Sequence, residues 1–184
     1  RTDPLSRVET YTYDFNGNLK TVTDRKGQVT TNSYDPQDRR IRTDYADGTF
    51  VTYEYDPTGR LLTATDSQTG TITRTYDALN RVVSEVSPQG AITYAYDPLG
   101  RRQAMQVNGW PPVEYGYDAR SRLTRVTQGP QTVTLTHDAA DRRSTLALPN
   151  GVTTSYAYDA ASRLTASTYT GPTGPLGNLA VVLL

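Results

Sequence analysis

Cysteine is missing from this sequence altogether, and histidine, methionine and tryptophan occur once each. Without cysteine, disulfides and thiolate metal sites are excluded. Phenylalanine is nearly missing too, with two copies, and apolar residues reach only 35%, against about 45–50% in ordinary domains. That is thin for a conventional core. No charge of one sign dominates, because 19 basic side chains stand against 19 acidic ones. The balance leaves no basic footprint for nucleic acid. Charge runs are lacking as well, which argues against a charged tail or a membrane-surface patch. The longest apolar run, residues 179–184, is far too short to span a bilayer. No signal peptide is visible, and the sequence begins at Arg1, so it reads as a piece of a longer polypeptide.

What is present is tyrosine, 14 of them. Tyrosine buries a ring and keeps a wettable hydroxyl. With abundant threonine it suits strands on a half-packed surface. The tyrosines are also periodic. Tyr-Asp pairs stand at Tyr13-Asp14, Tyr34-Asp35, Tyr55-Asp56, Tyr76-Asp77, Tyr96-Asp97, Tyr117-Asp118 and Tyr158-Asp159, and His137-Asp138 fills the gap, with steps of 20 or 21 residues. Five residues after the aromatic comes arginine: Arg39, Arg60, Arg81, Arg101, Arg122, Arg142 and Arg163, with Asn18 in the first copy. A fixed period of this kind is a tandem array and decides the fold.

The motif reads as a reversal of direction. Asp56-Pro57-Thr58-Gly59 and Asp97-Pro98-Leu99-Gly100 fit a type I turn, with Asp first, Pro second and Gly fourth. The Asp carboxylate can accept a backbone hydrogen bond inside the turn. The residue before each Arg is Gly17, Asp38, Gly59, Asn80, Gly100, Ser121, Asp141 or Ser162, mostly types that tolerate a left-handed backbone. A second reversal falls between these turns, at Lys26-Gly27, Asp47-Gly48, Thr69-Gly70, Gln89-Gly90, Asn108-Gly109, Gln128-Gly129 and Asn150-Gly151. Eight repeats over residues 5–169 then supply roughly 16 strands.

Alternation tests the strand that leads into each turn. Two residues before the aromatic stand Tyr11, Asn32, Tyr53, Arg74, Tyr94, Tyr115, Leu135 and Tyr156. Four before it, Val51, Ile72, Ile92, Val113 and Val133 share that face. Three before it, Thr10, Thr31, Thr52, Thr73, Thr93 and Thr134 form a threonine ladder on the other face. The expected class is all-β: tandem β-hairpins in one long antiparallel sheet. A sheet of that many strands, about 80 Å wide, is expected to curl into a curved wall. Residues 170–184 leave the register, and residues 171–177 read as a Gly/Pro loop before a strand cut short.

Tyr55-Asp56-Pro57-Thr58-Gly59-Arg60-Leu61 resembles the signature of the Rhs/YD-repeat family, and the stretches starting at Tyr96 and Tyr158 are similar. The resemblance covers nearly the whole sequence. It implies a β-sheet that spirals into a hollow shell. In bacterial members that shell holds a C-terminal toxin, so the implied partner is the remainder of the same polypeptide and the implied location is secreted or cell-surface. The family's self-cleavage segment is not visible, and the two Asp-Pro-x-Gly stretches lie inside the repeat register as ordinary turns.

No catalytic constellation accompanies the repeat, so the expectation is a scaffold and not an enzyme, with no cofactor. One Asp per turn does not supply the six to eight converging oxygens that calcium requires, so no metal is expected. Each Arg is expected to pair with an Asp of its own or the adjacent turn. His137 reads as a ring replacing a ring. The candidate ligand face, for a glycan or receptor, is Tyr53, Tyr94 and Tyr115, with Trp110 at a hairpin tip beside Pro111 and Pro112.

Overall fold

A computed structural model describes residues 8–180. The expected start of the array at residue 5 and the terminal residues 181–184 lie outside the described residues. Within them the polypeptide forms 17 β-strands and no helix, in one antiparallel sheet. It divides within a strand into two compact units, Arg1–Thr93 and Tyr94–Leu184.

The first unit carries β1 (Thr10–Tyr13), β2 (Leu19–Thr23), β3 (Val29–Tyr34), β4 (Arg40–Asp44), β5 (Phe50–Tyr55), β6 (Leu61–Asp66), β7 (Gly70–Tyr76), β8 (Val82–Ser87) and the start of β9 (Gly90–Tyr96). Each strand pairs antiparallel with the next. The second unit continues with β10 (Arg102–Val107), β11 (Val113–Tyr117), β12 (Leu123–Gln128), β13 (Gln131–His137), β14 (Arg143–Ala147), β15 (Thr153–Tyr158), β16 (Leu164–Gly171) and β17 (Gly174–Ala180). Its strands follow the same rule.

Odd-numbered strands up to β15 end on the aromatic residue of the motif, and the next strand starts just after the Arg or Asn18. The first pairing across the turn is Tyr55 with Leu61, and the next is Glu54 with Thr63. One residue on the departing strand, Leu62, is therefore extra. The same shift recurs at Tyr13, Tyr34, Tyr76, Tyr117, His137 and Tyr158. This is a β-bulge fed by a left-handed residue, as the turn chemistry predicts. Gly17, Asp38, Gly59, Asn80, Gly100, Ser121, Asp141 and Ser162 all have positive φ.

The two faces differ as the alternation predicts. Tyr53, Tyr94, Tyr115 and Tyr156 are half-buried, whereas Thr73, Thr93, Glu114, Thr134 and Ser155 on the opposite face are exposed. Tyr11 and Ile72 on the first face are exposed, and Thr31 and Thr52 on the second are half-buried. Hydroxyls link neighbouring strands on the threonine face, as in Thr12–Thr21 at 2.6 Å and Thr136–Thr145 at 2.6 Å. The packing on the tyrosine face is lateral and wet. Among the described residues the only buried hydrophobic is Leu135, at 7% exposure.

Substitutions in the tyrosine row are compensated across the strand. Asn32 stands opposite Thr43, which donates its hydroxyl to Asn32 Oδ1 at 2.9 Å. Arg74 stands opposite Glu85 and binds it at 2.7 Å. Leu135 faces Leu146. Such cross-strand pairs each contribute roughly 0.2–1 kcal/mol.

The C-terminal expectation needs correction. Gly171 pairs with Gly174, leaving Pro172 and Thr173 as a two-residue turn. The remaining residues up to Ala180 form β17 against β16. The Gly/Pro stretch is a tight hairpin followed by a strand, because backbone pairing with β16 does not depend on the Tyr-Asp signature. Only residues 181–184 of the expected truncated strand lie outside the described residues.

Candidate functional site: a turn-to-turn aspartate–arginine ladder

Each motif turn has one geometry. Gly59 donates its N–H to the Asp56 carbonyl at 3.0 Å, and Asp56 donates its own to the Arg60 carbonyl at 2.9 Å. Asp56 Oδ1 accepts the backbone N–H groups of Thr58 and Arg60, both at 2.9 Å. Its Oδ2 accepts the Arg60 Nε. The same set holds at Asp35, Asp77, Asp97, Asp118, Asp138 and Asp159. So the carboxylate ties two backbone N–H groups of its turn and fixes the Arg of that turn, and Arg122 pairs in addition with Asp141 of the adjacent turn at 2.6 Å.

The other end of the guanidinium reaches the next repeat. Arg39 Nη1 donates to the Asp56 carbonyl at 3.1 Å, Arg122 to that of Asp138 at 3.3 Å, and Arg142 to that of Asp159 at 3.2 Å. Arg60 and Arg101 reach Asp77 and Asp118 at 3.4 Å. The left-handed residue of the next turn adds an acceptor: Asn80 for Arg60 at 2.8 Å, Ser121 for Arg101 at 3.1 Å and Asp141 for Arg122 at 2.6 Å.

The tyrosine completes the rung. The Arg39 guanidinium lies 4.9 Å from the Tyr55 ring centre, Arg60 lies 4.9 Å from Tyr76, Arg101 4.6 Å from Tyr117, and Arg142 4.7 Å from Tyr158. Below the ring, the hydroxyls of Tyr34, Tyr55, Tyr76, Tyr117 and Tyr158 donate to the carbonyls of Leu19, Arg40, Leu61, Arg102 and Arg143 at 2.8–2.9 Å. Tyr96, at the same motif position, is half-buried. Tyr13 is exposed.

Two repeats carry substitutes. Asn18 donates its amide to Asp14 Oδ2 at 3.1 Å and to Asp38 Oδ1 at 2.7 Å, so it spans the two turns as Arg does elsewhere. His137 replaces the ring, but it has no hydroxyl. Its Nδ1 is buried without a hydrogen-bond partner.

The ladder sets the charge state of the aspartates. The backbone N–H of Arg122 and its guanidinium hold Asp118 below the usual carboxylate range against the opposing pull of burial. At Asp56 burial pushes upward, and the hydrogen bonds from Arg60 and Thr58 outweigh it, leaving the carboxyl far below that range. These are structural carboxylates, consumed in the turns. Among the described residues no group of three or more His, Asp or Glu is placed to hold a metal ion.

The candidate ligand face is partly occupied by the protein itself. Arg40 lies over the Tyr53 ring at 5.0 Å and Arg102 over Tyr94 at 5.0 Å. Tyr115 is half-buried on β11. Trp110 is 66% exposed at the tip between β10 and β11, and the Pro111 and Pro112 beside it are exposed.

A tandem β-hairpin scaffold, in which Asp, Arg and Tyr tie a hairpin to the next one within each unit, is the class this geometry defines. The RHS Repeat family is matched over residues 16–49, 55–92, 76–109 and 137–174, and the chain belongs to that family. Solved structures share the fold. One is the crystal structure of TcdB2-TccC3-Cdc42, with 16% identity and a TM-score of 0.59, covering 94% of this chain and 12% of that one. Another is the Tc holotoxin pore of Photorhabdus luminescens with a mutated TccC3, with 20% identity and a TM-score of 0.59, covering 90% and 9%. This chain therefore spans about a tenth of the length of those two. A search of the curated proteins finds no match.

Proposed function

We propose that the chain is a wall segment of an Rhs-type hollow β-shell, which encloses a C-terminal toxin or effector of the same polypeptide for secretion and delivery. The observation that carries this reading is the ladder. Within each of the two units a turn is tied to the next one by its Arg or by Asn18, as Arg39 ties to Asp56 and Arg122 to Asp138, so the wall grows by repetition, as in other repeat proteins. The charged side chains of the motif are spent on holding that wall, and no catalytic role is proposed for them. The likeness to the Tc complexes supports the same reading at the level of fold.

The test uses the longer polypeptide that carries the array. Protease is added to the native protein and to the same protein in urea. The enclosed segment should survive in the first and be cleaved in the second. Equal cleavage in both would sink the enclosure reading while leaving the scaffold intact.

A surface-binding role is the second reading, and the exposed Trp110 is the observation in its favour. A glycan array with the folded protein tests it. Binding lost in Trp110→Ala, or in Tyr53→Ala, Tyr94→Ala and Tyr115→Ala together, would support it. Absence of binding to every glycan ends it.

A further inference from the structure

Three Asn-Gly pairs occur in the sequence, Asn16-Gly17, Asn108-Gly109 and Asn150-Gly151. All three asparagines are exposed, and all three glycines have positive φ. Exposure and sequence therefore do not separate them. Hydrogen bonding does.

At the first pair, the Gly17 N–H is held by the Asp14 carbonyl at 3.1 Å, and the Asn16 amide donates to Asp38 Oδ1 at 2.8 Å. At the third, the Gly151 N–H is held by the Leu148 carbonyl at 3.0 Å, and Asn150 Oδ1 accepts the Val152 N–H at 3.1 Å. Both asparagines sit in turns whose reacting groups are tied. The middle pair differs. Its turn is closed one residue later, by the Trp110 N–H on the Val107 carbonyl at 3.0 Å. Within the described residues neither the Gly109 N–H nor the Asn108 Cγ amide group has a hydrogen-bond partner. Nothing would lie within 4 Å of a Cβ built on Gly109. The backbone nitrogen of Gly109 and the Cγ of Asn108, which must meet, are thus both free, in open space.

We infer that Asn108 is a self-modification site, where the protein converts asparagine to isoaspartate and aspartate without an enzyme. The Gly109 nitrogen loses its proton to hydroxide and attacks Asn108 Cγ. The new bond from nitrogen to Cγ closes a five-membered succinimide, the Cγ–Nδ2 bond breaks, and ammonia leaves with a proton taken from water. A water molecule then opens the ring at either carbonyl. One opening gives aspartate. The other gives isoaspartate, in which the backbone runs through Cβ and Cγ and gains a methylene. Either product places a new carboxylate two residues before Trp110. The long product also lengthens the hairpin tip that Gln106 braces through the Trp110 carbonyl at 3.3 Å.

The experiment incubates the folded protein at mildly alkaline pH and follows three tryptic peptides by mass spectrometry. They are residues 8–20, 103–120 and 144–163, each holding one Asn-Gly pair. The peptide with Asn108 should accumulate the acidic forms first, roughly fivefold faster than the other two, the order of rate change expected when a hydrogen bond must be broken first. The same incubation in urea removes the folded-state bonds, and the three rates should converge there. Asn108→Gln should abolish the fast phase and leave the slow ones unchanged. Conversion of Asn16 or Asn150 at the rate of Asn108 in the folded protein would overturn the inference. So would a rank order that persists unchanged in urea.

Discussion

Arg142 bridges two repeats: its Nε holds Asp138 of its own turn at 2.7 Å, and its Nη1 holds the backbone carbonyl of Asp159, 17 residues on, at 3.2 Å. The same guanidinium lies over the Tyr158 ring. Three interactions with two repeats therefore converge on one group. Arg142→Ala should destabilise the fold by about 2 kcal/mol, from the charged hydrogen bonds and the ring contact together. Arg142→Lys should recover less than half of that, since an ammonium lacks the fork that reaches two acceptors in one plane. Urea midpoints of the three proteins check both statements. An Arg142→Lys midpoint equal to the parent would show that charge alone suffices.

Acid should loosen the array from the turns outward. The turn aspartates have folded pKa values below their unfolded ones. Their stabilisation is therefore complete above the unfolded carboxylate value, near pH 4, and is lost as pH falls through the lower folded values. The urea midpoint should stay level from neutrality to about pH 5 and drop steadily below about pH 4. Asp118→Asn keeps an acceptor for the two backbone N–H groups but turns away Arg122. It should be less stable than the parent at neutral pH, and the gap should narrow as the pH falls. A constant gap would mean that the charge on Asp118 contributes nothing.

How much of this could be read from the residues depends on their separation in sequence. The turn was legible because its parts lie within six residues. Asp56 needs only Thr58 and Arg60, and Gly59 needs only a left-handed backbone. The rung was not legible. Whether Arg39 also reaches Asp56, 17 residues on, depends on how β4 pairs with β5, and no local pattern displays that register. The same holds for Asn32, Arg74 and Leu135. Each looks like a fault in the tyrosine row until the register sets it opposite Thr43, Glu85 or Leu146. The C-terminal hairpin was missed for a related reason. Pro172 and Thr173 carry no Tyr-Asp signal, yet β17 finds its partner through backbone pairing alone.

Two glycines separate backbone strain from crowding. Gly59 has φ +90°, and a Cβ there would meet nothing within 4 Å. Gly151 has φ +82°, and a Cβ there would fall 2.7 Å from Pro172 Cγ. Gly59→Ala should cost about 1–2 kcal/mol, the penalty of a left-handed residue that carries a Cβ. Gly151→Ala should cost more, because the proline of the neighbouring hairpin must also shift. Thermal midpoints would rank the two, and Pro172→Ala in the Gly151→Ala background should return part of the difference. Equal losses at both sites would mean that the crowding is relieved at no cost.

His137 marks a rung that lacks the tyrosine hydroxyl. At Tyr34, Tyr55, Tyr76, Tyr117 and Tyr158 the hydroxyl donates to the carbonyl of the residue after the preceding turn's arginine or its substitute, as Tyr117 does to Arg102 and Tyr158 to Arg143. In the histidine repeat the corresponding residue is Leu123. No hydroxyl is available to reach it, and the Nδ1 of His137 is left buried without a partner. His137→Tyr should supply the missing donor and remove the unpartnered nitrogen. The expected gain is about 1 kcal/mol, the net worth of one hydrogen bond. His137→Phe supplies the ring without the hydroxyl and should gain less, so the difference between the two variants isolates the hydroxyl bond. Their urea midpoints give that difference directly, and a phenylalanine variant as stable as the tyrosine variant would show that the ring alone holds the rung.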